Sequence, residues 1–145
     1  MAVAPFITQA VAQALLDAFE VAANAGTAAV INGYDDDAAD PADADASAAG
    51  SQITFTLTCS ASIFTSKTDG APGAVGTFAS ITADSSADVT DTLSFFRILT
   101  QAGGTVVFQG NADTASADMI INTVSITAGS TVDDTGTSTL TVPEG

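Results

Sequence analysis

The side chains of this chain most able to do chemistry are its carboxylates, and the densest group of them is Asp35, Asp36, Asp37, Asp40, Asp43 and Asp45. Carboxylate oxygens are hard donors suited to calcium or magnesium, so Asp35, Asp37, Asp43 and Asp45 are the candidate ligands for a divalent cation. An EF-hand loop also needs a central Gly and a closing Glu, and neither stands in register here. A plain solvated charge run is the competing reading of the same residues. Paired carboxylates can also act as acid and base, as in glycoside hydrolysis, provided an apolar or aromatic cleft raises one pKa. The chain has no Trp and one Tyr. It also lacks a Gly-rich phosphate loop, a nucleophile elbow and a Cys/His cluster, so the expectation is that it is not an enzyme.

The charge balance narrows the field further. Seventeen acidic residues face only Lys67 and Arg97, there is no His, and the net charge is −15. Nucleic acid is held by Lys and Arg against phosphate, and an anionic membrane surface recruits basic residues in the same way, so neither is an expected partner. Without His the usual proton shuttle near neutral pH and the commonest nitrogen ligand for metals are both missing. Cys59 has no second cysteine to pair with and sits in an alternating apolar run, as a small buried hydrophobe would. Arg97, inside Phe95-Phe96-Arg97-Ile98-Leu99, is expected either to snorkel to solvent or to pair with an Asp. A surface of carboxylates and hydroxyls also suits a salty setting, in which self-repulsion is screened.

The elements that must position these groups follow from periodicity. One domain is expected over the 145 residues, with a helix at 5–24, an exposed acidic loop at 34–51 and a β-rich body at 52–142. In the helix, Phe6, Val11, Leu15, Ala18, Phe19 and Ala22 form the predicted apolar stripe that docks on the sheet, with Pro5 in the first turn and Gly26 closing the last. From Ile53 the period becomes two: Ile53, Phe55, Leu57 and Cys59 point one way, and Thr54, Thr56 and Thr58 the other. The run Lys67 to Gly73 reads as a turn. Further strands are expected at 75–83, 92–100, 105–110, 118–126 and 137–142, with a Gly103-Gly104 hairpin and an Asp133-Asp134 turn. Ser94 to Leu99 is apolar on both faces and should be a central strand. The fold class is therefore mainly β, an antiparallel sandwich or barrel-like domain with one N-terminal amphipathic helix. No stretch approaches the roughly 18 apolar residues that span a bilayer, and the first residues lack a basic signal-peptide region.

The strand Thr92-Leu93-Ser94-Phe95-Phe96-Arg97-Ile98 is followed by Gly104-Thr105-Val106-Val107-Phe108-Gln109-Gly110. Then come Met119-Ile120-Ile121-Asn122, Ile126, Gly129 and Val132. In this order and spacing the chain resembles a group of small tailed-bacteriophage virion proteins, labelled structural, tail or head decoration proteins. The likeness is specific over residues 90–142 and loose elsewhere, and the acidic loop at 35–50 is longer than the pattern has. The resemblance implies a virion structural protein and leaves its place in the virion open. Small size, β-rich turns, the absence of enzymatic motifs and the acidity favour a capsid decoration or cement protein on the outer head surface, a homo-oligomer (a trimer for preference) whose partner is the major capsid protein. It would be made in the host cytoplasm and brings no catalytic residues. Phe6, Val11, Leu15, Phe19, Lys67 and Arg97 are the candidate subunit or capsid contacts. A tail, neck or baseplate component is the alternative. A secreted adhesive or sugar-binding β-sandwich is a further one, disfavoured by the missing signal peptide and the scarce aromatics.

Overall fold

Ten strands and one helix carry the fold in a computed structural model that describes residues 6–69, 73–135 and 138–144. The helix is α1 (Gln9–Ala23). The strands are β1 (Val30–Asp35), β2 (Ile53–Cys59), β3 (Phe64–Thr68), β4 (Gly73–Phe78), β5 (Ile81–Thr82), β6 (Asp91–Leu99), β7 (Val106–Asp113), β8 (Met119–Ile120), β9 (Ser125–Ile126) and β10 (Thr139–Pro143). The larger, curled sheet runs β5-β2-β1-β6-β7-β8, with β9 on the start of β6, and the smaller runs β10-β4-β3. Among the described strands only the β7–β8 pair is parallel. The protein is a mainly β domain of sandwich or barrel-like form with one N-terminal helix, as the periodicity predicts.

At the centre of the large sheet β6 lies between β1 and β7, and its residues Phe95 to Leu99 are all buried. The apolar run therefore marks the central strand correctly. Its neighbour β1 is a correction: every residue from Val30 to Asp35 is buried, although Tyr34 and Asp35 are expected in the exposed loop. Asn, Gly and Asp depress strand propensity, and only flanking by β2 and β6 makes this segment a strand. Gly33 fits because a Cβ there would run into the Phe55 ring and Leu93.

Local irregularities explain the other departures. In β2 the register slips between Gly33 and Tyr34, so Phe55 and Ile53 have partners while Thr54 is left between them. That bulge buries Thr54 and half-exposes Ile53, inverting the expected alternation at the strand's start while Phe55, Leu57 and Cys59 keep it. The predicted 75–83 strand divides between β4 and β5, which belong to different sheets, and 118–126 divides into β8 and β9. Lys67 and Thr68 lie in β3 and Gly73 in β4, so the predicted turn narrows to a segment whose residues 70–72 fall outside those described. The β6–β7 hairpin forms as expected, but Gly103 alone takes a positive φ, +66°. Asp134 pairs with Ile121 in an isolated bridge and accepts a hydrogen bond from Ser138 Oγ at 2.7 Å, pinning the approach to β10.

The helix is rotated relative to the predicted stripe. Its core face is Ala12, Leu16 and Ala23, with Phe19 packed beside them, and it lies on β4 and β10 of the small sheet. Phe6, Val11 and Leu15 are 67%, 45% and 50% exposed. Residues 11/15 and 12/16 both satisfy i, i+4 spacing and differ by about 100° around the axis, so periodicity cannot choose between the rows. Close approach to the sheet chooses the row with the small Ala12 and Ala23. Thr8 caps the start, accepting from Val11 N–H at 3.4 Å, and Pro5 lies outside the described residues. Asn24, not Gly26, is the C-cap, and its Oδ1 accepts from Ile63 N–H at 3.0 Å. Gly26 is small for another reason, since a Cβ there would strike the Thr100 carbonyl.

Candidate functional site

The acidic segment after β1 is held down by a cation from the sheet. Arg97 is only 4% exposed, and its Nη2 donates to the Ala46 carbonyl at 2.7 Å and the Asp43 carbonyl at 3.4 Å. Its Nε donates to Gln109 Oε1 at 2.9 Å, and the guanidinium lies 5.7 Å from the Phe95 ring centre and 6.0 Å from that of Tyr34. Gln109 Nε2 reaches Pro41 O at 2.9 Å and Ser94 Oγ donates to Asp40 Oδ1 at 2.6 Å. Arg97 thus neither snorkels nor pairs with an Asp. It binds main-chain carbonyls, and the loop keeps its side chains in solvent while its backbone is tied to β6 and β7.

Two of the four predicted metal ligands come together, joined by a third that sequence reading missed. One carboxylate oxygen from each of Asp35, Asp37 and Asp91 lies within 4.8 Å of the others. Asp35 ends β1 opposite Leu93 of β6, two residues along from Asp91, and this register makes the meeting. Asp35 is fully buried; its Oδ1 accepts Gln52 N–H at 3.0 Å, while Oδ2 is buried without a hydrogen-bond partner. Asp91 Oδ1 accepts Thr92 N–H at 2.7 Å. Asp43 and Asp45 do not join: Asp43 Oδ1 accepts the N–H groups of Asp45 at 3.0 Å and Ala46 at 2.9 Å, closing a local turn. Nothing in the sequence near Asp91 marks it, because the contact depends on pairing between distant strands.

The other candidate residues divide by face. Phe19 turns inward, its ring 5.7 Å from Phe64 and 6.2 Å from Phe108. Phe6, Val11 and Leu15 remain outside: Val11 and Leu15 are an exposed i, i+4 pair on α1, and Phe6 and Ile7, 67% and 37% exposed, stand just before its start. Lys67 reaches from β3 to the helix, its Nζ 2.5 Å from Asp17 Oδ1 and also paired with Glu20. Hydrogen bonding to Asp17, then to Glu20, raises the Lys67 pKa, and bonding to Lys67, helped by Gln13, lowers that of Asp17. Both basic side chains are therefore engaged inside the fold.

Between the sheets lies a cavity of about 410 Å³ whose walls include Ile31, Phe78, Ile98, Phe108, Met119 and Leu140. Its one ionisable lining residue, Asp118, accepts Asn111 N–H through Oδ2 at 3.0 Å. Cys59 is buried, as expected, and burial pushes its thiol up to about 12, leaving it a poor nucleophile. Among the described residues no helix is long and apolar enough to cross a membrane. Comparison with known protein families, curated proteins and solved structures finds no match. Fold and site together define an acidic, two-sheet β domain with an apolar helix row on one side and a carboxylate cluster at a strand end.

Proposed function

We propose that this protein is a structural component of a tailed-phage virion, a decoration or cement protein bound to the outer surface of the head. The observation that carries this reading is the exposed apolar row of α1 on a chain otherwise covered with carboxylates and hydroxyls. Water-exposed Val11 and Leu15 side by side on one helix, with Phe6 exposed just before its start, are a ready contact surface, and an apolar centre with a charged rim is the usual anatomy of a protein interface. A net charge of −15 suits the exterior of a DNA-filled shell and a partner that contributes basic groups.

The positions that carry the family resemblance fit the same reading. Met119, Ile121, Ile126 and Val132 are all core residues, and Gly129 takes a positive φ of +80° in the turn between them. The shared pattern therefore describes a scaffold. A trimer at a local three-fold position is the assembly proposed.

The test is binding of the purified chain to heads prepared without it. Copies spread over the whole head and a rise in the head's thermal disruption temperature are expected. Val11→Ser with Leu15→Ser should fold normally yet weaken attachment by about 100-fold or more, since burial of each side chain contributes roughly 1.5–3 kcal/mol. Copies confined to the tail would overturn the head assignment, and unchanged binding by the double variant would remove the helix row as the contact.

A further inference from the structure

We infer that Asp35, Asp37 and Asp91 form a calcium site that clamps the start of the acidic loop to the first residues of β6. This inference stands apart from the virion reading. Three carboxylate oxygens within 4.8 Å of one another are close enough to be drawn onto a single ion, since two ligands on opposite sides of a calcium at about 2.4 Å stand about 4.8 Å apart. A second observation, independent of the clustering, is the buried Asp35 Oδ2, which lacks a hydrogen-bond partner. A buried carboxylate oxygen without a donor is costly unless a cation compensates it. No basic side chain does so here. The chain has only two, and Arg97 is spent on Gln109 and the Asp43 and Ala46 carbonyls, Lys67 on Asp17 and Glu20.

The surroundings also prepare the ligands. Gln52 N–H holds Asp35 Oδ1 and Thr92 N–H holds Asp91 Oδ1, fixing both carboxylates as outer hydrogen bonds do around metal ligands. Asp37 comes from an exposed bend, so the third arm can adjust. An all-oxygen set with one adaptable, solvent-exposed arm favours calcium over magnesium, which demands near-ideal octahedral geometry. With the ion bound, the loop is tethered at its start by metal and near its middle by Arg97.

The experiment is thermal unfolding and titration calorimetry of the full chain in sodium chloride at about 0.15 M, where the screening length is about 8 Å. One calcium per chain is expected, with a midpoint rise of about 5–10 °C at a hundredfold excess over Kd. Asp37→Asn and Asp91→Asn should abolish both signals, while Asp69→Asn, remote in sequence and exposed, should keep them. Asp37 is itself exposed, so its variant tests the site even if replacing Asp91 unfolds the chain. Absence of a calcium shift in the unaltered chain, or an equal shift in Asp37→Asn, would overturn the site and leave diffuse attraction to the acidic surface. A magnesium shift as large as calcium's would overturn the choice of ion.

Discussion

Arg97 joins three parts of the molecule through one planar group: β6, which carries it, β7 through Gln109, and the loop through two carbonyls. A guanidinium does this better than an ammonium because its donors are fixed in a fork. Arg97→Met should cost about 2–4 kcal/mol, since the Ala46 carbonyl and Gln109 lose a buried charged donor. Urea unfolding would measure the loss, and limited proteolysis under native conditions should show new cleavage within 36–51. Arg97→Lys should fall between the two, keeping the charge but not the fork. That a lone Arg in an apolar strand must find partners is legible in the sequence. Which partners it finds depends on how the loop closes over the sheet, and a carbonyl leaves no mark in residue types.

At the scale of elements, α1 is attached to the small sheet by two kinds of contact. Leu16, Phe19 and the two small alanines supply the apolar one, and Lys67 with Asp17 and Glu20 the polar one. The pKa of Asp17 is lowered, so its share of the stability is present above the unfolded carboxylate value of 3.8 and is lost as pH falls through the folded value. Lys67 is raised, so its share is present below 10.5 and is lost as pH rises through the folded value. The unfolding midpoint of Lys67→Gln should therefore lie below that of the unaltered chain between about pH 4 and pH 10, with the gap closing toward pH 3. The groups are solvent-exposed, so the gap should be small and shrink in concentrated salt. An equal gap at pH 3 and pH 7 would contradict the pairing. That the chain has one helix and several strands was readable from period; the cap residues, Thr8 and Asn24, were not. The face of α1 and the membership of β1 were not, because each is decided by what packs against it.

For the whole molecule, a charge of −15 repels itself in the folded state more than in the expanded one. Raising sodium chloride from about 0.01 M to about 1 M shortens the screening length from about 30 Å to about 3 Å. In the presence of a chelator the unfolding midpoint should rise across that range, by about 2–4 °C for each kcal/mol of repulsion relieved. Scanning calorimetry in a salt series checks this, and a flat or falling midpoint would contradict it. Calcium bound at Asp35, Asp37 and Asp91, as inferred above, should add to the salt effect.

By itself the sequence determined the charge, the β-rich class, the central place of Ser94 to Leu99, the burial of Cys59 and the presence of one amphipathic helix. These follow from composition and short-range period, which act within a few residues. Only the tertiary structure decided that Thr54 turns inward, that β1 lies between β2 and β6, that Val11 and Leu15 face water, and that Asp91 joins Asp35 and Asp37 while Asp43 and Asp45 do not. Each depends on strand register or on a close backbone approach. Register is set by pairing between segments far apart in the chain, and a slip of one residue sends side chains to the opposite face.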